Sequence, residues 1–334
     1  MSKRLPLCIA LPAALLLAAS TMPGSSMGST QMHGKSHHYP GLRHHGSRKH
    51  KHPKARSPLH NGPATPRLNH PIALAPSATN TNSDQPAGSD HPVWSDEFDG
   101  PAGARPDPAK WSFDIGGNGW GNGELQYYTA QPSNASLDGE GDLVIAARTE
   151  QYVGSDDVTR AYTSARLETL ESFQFTYGFM EARVQVPEGK GLLPAFWSLG
   201  NDAYTDENRW PGCGEIDAME ILGSKPNVLY GTLHGPWPSA PHGIGGKVES
   251  AAPLSADFHT YGVRWAPNQI SFLLDGLTYE TISREDLPVG HAWPFQHPNF
   301  LLLDLAVGGD WPGSPNAFTK FPARMVVDWV RVWQ

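Results

Sequence analysis

Three carboxylates lie within six residues of one another in the stretch from Trp210 to Gly223. They are Glu215, Asp217 and Glu220, and the apolar residues between them are typical of a β-strand. Because successive side chains of a strand point to opposite faces, Glu215 and Asp217 share a face and Glu220 is expected to point the other way. A β-bulge at residues 218–219 would return Glu220 to the face of the other two acids.

Carboxylates this close change one another's ionisation. Each negative charge disfavours the loss of a proton from its neighbour, so one acid stays protonated while another is ionised at the same pH. A retaining glycosidase uses such a pair. On this interpretation Glu215 attacks the anomeric carbon, Glu220 protonates the departing oxygen and later deprotonates water, and Asp217 hydrogen-bonds to Glu215 or shares its charge. The alternative is a solvent-exposed acidic strand with no chemical role.

The N-terminal segment, residues 1–26, is typical of a secretory signal peptide. It carries Lys3 and Arg4, an apolar run from Leu5 to Ala19 and small residues near the end of that run. The run is shorter than the roughly 20 residues that a membrane-spanning helix needs, and no later stretch approaches that length. We therefore expect an exported protein, secreted to the extracellular space or the periplasm, with no integral membrane segment.

The next segment, residues 27–91, is rich in His, Pro, Ser, Asn, Lys and Arg and holds ten of the chain's 15 histidines. It contains few large apolar side chains and cannot form a core. We expect a disordered basic linker here. Alternatively, the run from Lys35 to Arg56 could bind a divalent metal or an anionic polymer of the cell envelope.

The remaining residues, 92–334, are expected to form one catalytic domain. From Val93 onward the chain has 15 Lys and Arg against 31 Asp and Glu, a net charge near −16. Such an acidic domain repels polyanions, which argues against nucleic acids and against sulfated or uronic polysaccharides as partners. A neutral polysaccharide fits better. Only Cys213 remains after removal of the signal peptide, so no intramolecular disulfide is expected.

Short apolar runs separated by Gly, Pro or Asn follow one another through this domain, and no long amphipathic helix is evident. Apolar and polar side chains alternate over 177–186, as in a half-buried strand. Asp275-Gly276 predicts a hairpin, because a type I′ turn needs positive φ at both positions. These patterns predict an all-β fold, an antiparallel β-sandwich. The other predicted strands are 143–147, 161–169, 195–199, 215–222, 228–233, 258–265, 300–307 and 325–333.

Eight motifs occur in the order found in glycoside hydrolase family 16, and the whole domain resembles that family. The stretch from Glu215 to Glu220 has the bulged Glu-x-Asp-x-x-Glu form of the laminarinase-like endo-β-1,3-glucanases. The resemblance implies a concanavalin-like β-jelly roll and internal, retaining cleavage of β-1,3-glucan, with mixed-linkage β-1,3-1,4-glucan as a secondary substrate. The other motifs are Trp94–Phe98, Gly116–Thr129, Gly191–Gly200, Gly231–Gly235, Asp257–Tyr261, Leu305–Gly313 and Val327–Val332.

The resemblance also implies the residues of a sugar cleft, in which aromatic rings pack against the C–H faces of pyranose rings. Trp197 and Trp210 would flank the subsites beside the cleaved bond, and His234 would lie near Glu220. Trp237 and Trp311 are candidate platforms farther along the groove, and for Trp237 a core position is an equal alternative. The residues expected on the non-reducing side are Asn118, Trp120, Asn122 and Arg166.

No cofactor is expected for catalysis. The resemblance implies a structural Ca²⁺ away from the cleft, held by Glu97, the backbone near Gly141, and Asp328, since calcium binds hard oxygen ligands. For Asp328 a surface salt bridge is the alternative.

Two functional alternatives are a transglycosylase that remodels glucans with the same residues and a non-catalytic β-glucan-binding protein on the same sandwich. We expect a monomer.

Overall fold

The computed structural model describes residues 91–205, 209–237 and 243–334. The expected signal peptide, and the expected linker up to residue 90, lie outside the described residues. Within the described ranges the structure is built from β-strands with a single 3-10 turn, Arg284–Asp286, which confirms the predicted fold class. None of the described segments forms a helix long and apolar enough to cross a membrane.

The strands are numbered in chain order. They are β1 (Trp94–Asp96), β2 (Ser112–Phe113), β3 (Gln126–Tyr128), β4 (Ala135–Leu137), β5 (Leu143–Val153), β6 (Thr159–Ser164), β7 (Arg166–Glu168), β8 (Gly178–Gln185), β9 (Leu192–Gly200), β10 (Glu215–Glu220), β11 (Val228–His234), β12 (Ile244–Glu249), β13 (His259–Ala266), β14 (Gln269–Leu274), β15 (Leu277–Ser283), β16 (Asn299–Val307) and β17 (Ala323–Trp333).

These strands form two sheets. The larger sheet has ten strands in the order β15-β14-β13-β8-β17-β5-β6-β3, with β1 paired to β17 and β4 to β5. The smaller sheet has seven, in the order β12-β11-β10-β9-β16-β7-β2. Paired strands are antiparallel except β3 and β6, which are parallel. The strand that carries the three acids, β10, therefore lies inside the smaller sheet with β9 and β11 on either side.

One hydrophobic core joins the two sheets. In β8 the side chains of Met180, Ala182 and Val184 are buried, and the polar residues between them are half-buried, as the alternation predicts. Ile216 and Ile221, in and just after β10, belong to the same core cluster. Fully burying an aliphatic side chain of this size contributes about 1.5–3 kcal/mol. The apolar face of β10 thus anchors the strand whose other face carries the acids.

Two local predictions have different outcomes. The hairpin between β14 and β15 is confirmed, since Asp275 and Gly276 have φ angles of 49° and 76°. The single strand predicted over 161–169 is wrong: β6 belongs to the larger sheet and β7 to the smaller one. The chain passes from one sheet to the other at Ala165, whose fully buried side chain continues the apolar pattern through the crossover.

Candidate active site

The bulge predicted from the spacing of the acids is present in β10. The pairing of β10 with β11 shifts register between Asp217 and Glu220, and its pairing with β9 shifts between Asp217 and Met219. Ile216, Ala218 and Met219 are all fully buried in the core. Two successive residues of the bulge therefore point inward, and the acids before and after them share the opposite face.

Neighbouring side chains hold Glu215 from two directions. Nε1 of Trp210 donates a hydrogen bond of 2.7 Å to Oε2 of Glu215. His234 lies directly opposite Glu215 on β11, with Nε2 3.8 Å from Oε1 of Glu215 and 3.2 Å from Oδ2 of Asp217. The expected position of His234 near Glu220 agrees with the effect of its charge, which lowers the pKa of that acid. A carboxylate restrained in this way is oriented for attack along one line.

The ionisation of the acids follows from burial and mutual charge. Burial raises the pKa of Asp217 well above its usual range, and the charge of Glu215 and a hydrogen bond to it act in the same direction. Burial likewise raises the pKa of Glu220, with the charge of Asp217 next in importance, while His234 acts against them. Both groups therefore keep a proton at a pH where an ordinary carboxyl has lost it.

Glu215, Asp217 and His234 place one ligand atom each within 4.8 Å of one another, so these side chains could also hold a metal ion. In a retaining glycosidase the nucleophile, the acid and the base are all carboxyl groups, and no step of that reaction needs a metal.

Arg166, at the start of β7, lies between two tryptophans on one side of the acids. Its Cζ atom is 4.8 Å from the ring centroids of both Trp120 and Trp197, within the range of cation–π attraction. Nε of Arg166 is also 3.1 Å from Oδ2 of Asp114. Trp197 lies opposite Asp217 in the pairing of β9 with β10. The structure thus brings three of the predicted binding residues together, and we call Trp120, Arg166 and Trp197 the arginine wall.

The predicted asparagines belong to the loop that presents Trp120. Oδ1 of Asn118 accepts a hydrogen bond of 2.9 Å from the backbone N–H of Trp120, whose φ of 51° is unusual for a tryptophan. Nδ2 of Asn122 donates to Oε1 of Glu124 at 3.2 Å. Both asparagines are exposed, so each shapes the loop and still faces solvent beside the arginine wall.

Trp311 lies on the other side of the acids. Its side chain is 46% exposed, and its ring meets that of Tyr230 edge to face at a centroid distance of 5.0 Å. Tyr230 pairs with Glu220 across β10 and β11. The cleft therefore has the arginine wall toward β16 and β7 and an exposed tryptophan toward β11, with the acids between them.

The sequence profile of the glycosyl hydrolases family 16 matches residues 122–331, a span that contains all three acids. The chain belongs to this family. It is therefore a glycoside hydrolase.

Two relatives of this family 16 enzyme match it over most of their own length. A β-glucanase of Rhodothermus marinus is 42% identical over 250 residues, 72% of this chain and 84% of the relative. A glucan endo-1,3-β-glucosidase of Cryptopygus antarcticus is 37% identical over 228 residues, 66% of this chain and 82% of the relative. Among solved structures, the endo-β-1,3-glucanase from Pyrococcus furiosus has a TM-score of 0.68 at 42% identity, covering 72% of this chain and 93% of the other.

One predicted platform of the family 16 enzyme is a core residue. Trp237 is only 4% exposed, packs edge to face on Phe295, and donates from Nε1 to the backbone oxygen of Ala292 at 2.7 Å. The prediction that Trp237 stacks on sugar is wrong, because both the ring and the N–H are engaged inside the domain. The core alternative is the one the structure supports.

The side chains predicted to bind calcium are paired with arginines. Nε and Nη2 of Arg331 donate to the two carboxylate oxygens of Glu97 at 3.0 and 2.6 Å, and Arg183 donates to Asp328. The pairing of β17 with β8 shifts register at Asp328, whose side chain is about a third exposed. Near Gly141 the backbone could still offer an oxygen. As arranged, these residues fit the salt-bridge alternative and do not fit a calcium site, because a guanidinium already faces each carboxylate.

Two buried acids of the family 16 enzyme were not predicted. Asp304 on β16 accepts hydrogen bonds from Nε1 of Trp197 at 2.7 Å and from the hydroxyl of Tyr128 at 2.9 Å. Glu124 is buried nearby, and burial together with the charge of Asp304 raises its pKa to about 7. The sequence did contain a signal for Asp304, because this residue is an acid inside the apolar run 300–307. A charge in such a run needs partners, and these partners are the residues of the cleft.

Proposed function

We propose that this enzyme is a secreted endo-glycosidase that hydrolyses β-1,3-glucan with retention of the anomeric configuration. The observation that carries this proposal is the bulge of β10, which puts Glu215 and Glu220 on the same face of one strand. A short separation between nucleophile and acid is what double displacement requires, since no water has to fit between acid and sugar in the first step.

In the first step a carboxylate oxygen of Glu215 forms a bond to the anomeric carbon. The bond from that carbon to the glycosidic oxygen breaks, and Glu220 transfers its proton to the leaving oxygen. In the second step Glu220 takes a proton from water, and the water oxygen displaces Glu215 from the anomeric carbon. Asp217, which keeps its proton, donates to Glu215 and so restrains the nucleophile in both steps.

The substrate is inferred from charge and from the relatives. The domain from Val93 onward carries a net charge near −16, which suits a neutral chain and repels an acidic one. The Rhodothermus marinus and Cryptopygus antarcticus relatives are named for glucan cleavage, the latter for internal 1,3-β linkages. We therefore assign β-1,3-glucan as the main substrate and mixed-linkage glucan as a secondary one. Secretion rests on residues 1–26 and their resemblance to a signal peptide.

Transglycosylation is the second candidate, because the exposed Trp311 offers an acceptor sugar a ring on the leaving-group side of Glu220. An acceptor hydroxyl would then replace water in the second step. Competition between the two nucleophiles, and not a different set of acids, decides which reaction dominates.

The test measures reducing ends released from laminarin, mixed-linkage glucan, agarose and xyloglucan, with products separated by size. We expect oligosaccharides of several lengths from laminarin, fewer from mixed-linkage glucan and none from the other two. Products longer than a defined starting oligosaccharide would show transfer. Cleavage of agarose but not laminarin would overturn the substrate. Full activity in Glu215→Gln or Glu220→Gln, in which the shape is kept but attack or proton transfer is lost, would overturn the site.

A further inference from the structure

We propose that Asp304 is a positioning residue, which holds the arginine wall in place and whose negative charge, two strands from Glu220, favours the protonated form of that acid. The inference rests on the proposed function, since it concerns the same cleft.

Asp304 is the only charged residue of β16, and all nine residues of that strand are buried. It lies opposite Arg166 in the pairing with β7 and opposite Ala195 in the pairing with β9. β16 therefore brings this carboxylate to the cleft side of the sheet, two strands from the acids of β10. A carboxylate inside an apolar strand persists only where neighbours compensate its charge.

Both oxygens of Asp304 are occupied by donors. Oδ1 accepts from Nε1 of Trp197 and Oδ2 from the hydroxyl of Tyr128, at 2.7 and 2.9 Å. An indole N–H can donate but not accept, so Oδ1 carries no proton in this arrangement. Burial raises the pKa of Asp304, and the positive charge of Arg166 and the hydrogen bonds from Trp197 and Tyr128 act against it by stabilising the ionised form. We therefore treat Asp304 as an anion.

These contacts fix the arginine wall. Trp197 is held by its N–H on Asp304 and covered on one side by Arg166, which in turn lies against Trp120. Rotation of the Trp197 ring would break a hydrogen bond to a charged acceptor in a buried place, and such bonds are stronger than those between neutral groups. The platform next to Asp217 is thus locked by a buried carboxylate.

The charge of Asp304 also acts on the acid. Burial raises the pKa of Glu220 most, the charges of Asp217, Glu215 and Asp304 raise it further, and His234 lowers it. Removing one negative charge makes it easier for Glu220 to lose its proton. Since the first step needs a protonated Glu220, activity would then be lost at a lower pH. The other titratable groups that interact with Asp304 or with Glu220 are Arg166, Tyr128, Glu124 and Tyr279.

The deciding variant is Asp304→Asn, which keeps a side-chain oxygen for Trp197 and removes the charge. The exposed Asp99 provides a matched control, Asp99→Asn, which removes the same charge at a residue that is not among those acting on Glu220. The measurement is kcat/KM on laminarin across pH with the full chain. We expect the basic limb of Asp304→Asn to move to lower pH by about 0.5–1 pH unit and that of Asp99→Asn to stay in place.

Trp197→Phe separates position from charge. It removes the donor and keeps the carboxyl of Asp304, so KM should rise severalfold while the basic limb stays within about 0.2 pH units of wild type, about one fifth of the shift expected for a 1.4 kcal/mol change. Should Asn disturb the packing of β16, which near-ultraviolet circular dichroism would report, Asp304→Ser repeats the removal of charge with a smaller side chain.

A basic limb that does not move in folded Asp304→Asn or Asp304→Ser would overturn the inference. If Glu215→Gln and Glu220→Gln were still inactive in that case, the proposed function would stand. A wild-type enzyme with no activity on β-1,3-glucan would instead overturn the proposed function, and the two failures are therefore distinguishable.

Discussion

Nε1 of Trp210 donates a hydrogen bond to Oε2 of Glu215 over 2.7 Å, so an exposed aromatic ring and the candidate nucleophile are directly joined. Trp210 is 43% exposed, and its ring centroid is 5.8 Å from that of His234. A sugar that stacks on this ring therefore binds beside a carboxylate that the same residue orients. Trp210 therefore couples the binding of a sugar to the alignment of Glu215.

Replacing Trp210 by Phe should separate these two roles. Phe keeps an aromatic face but cannot donate, and a hydrogen bond to a charged group contributes about 1.5–3 kcal/mol. We expect kcat to fall roughly 10-fold or more, because each 1.4 kcal/mol is a factor of ten, while KM changes little. Trp210→Ala should also raise KM. Steady-state kinetics on laminarin checks both, and an unchanged kcat in Trp210→Phe would show that the bond does not orient Glu215 in the reacting complex.

Glu220→Gln should be inactive yet gain stability relative to wild type as the pH rises. In the folded state the pKa of Glu220 is raised by burial and by the neighbouring acids. An acid with a raised folded pKa is stabilising at low pH, and that contribution is lost as the pH rises through the folded value. Gln cannot ionise, so it avoids this loss. The difference in Tm between variant and wild type should be small at acidic pH and grow toward alkaline pH. A difference independent of pH would contradict the raised pKa.

Asp217→Asn should be less severe than either Glu variant. Because Asp217 keeps its proton and hydrogen-bonds to Glu215, an amide N–H can replace its donor. We expect a loss of roughly tenfold in kcat, against a loss of about 100-fold or more when the acid and base is removed. Asp217→Leu, which cannot donate, is the matched comparison and should lose more. Equal activity of the Asn and Leu variants would remove the hydrogen bond from the mechanism.

Trp237 and Trp311 should behave in opposite ways when changed to Ala. Trp237 is buried on Phe295, and removal of a core tryptophan typically costs about 3–5 kcal/mol. Trp237→Ala should therefore lower Tm by several degrees. Trp311→Ala should leave Tm close to wild type and weaken the binding of long oligosaccharides, because its exposed ring contacts Tyr230, which pairs with Glu220. Thermal unfolding and KM on glucans of different length check the pair. A stable Trp237→Ala with impaired binding would restore Trp237 as a platform.

The bulge in β10 could be predicted from the sequence, because without it the acids could not all lie on one face with the apolar residues on the other. Glu215 and Glu220 differ by an odd number of residues, and apolar residues occupy the positions between them, so only an inserted residue puts both acids on one face. The β14–β15 hairpin could be predicted for a similar reason, since Asp275-Gly276 is a local signal for one turn type. Both conclusions depend on residues close together in the chain.

The predictions that failed depend on pairing between distant segments. Nothing local to Asp328 shows that Arg183, on another strand, lies beside it. In the same way, the core position of Trp237 depends on Phe295, far along the chain. Asp304 was missed because its partners Trp197 and Tyr128 come from strands whose order in the fold cannot be derived from hydrophobic patterns. Periodicity gives the face of a side chain but not its neighbour across strands.

Glu215 and Glu220, on one face of β10, are proposed to act by two successive displacements at the anomeric carbon. Proton NMR of the products formed in the first minutes of laminarin cleavage is the decisive experiment for this mechanism. Two inversions give net retention, so new reducing ends should appear first as the β anomer and convert to the α anomer only at the rate of mutarotation. Reducing ends that appear first as the α anomer would mean direct attack by water and would refute the two-step mechanism.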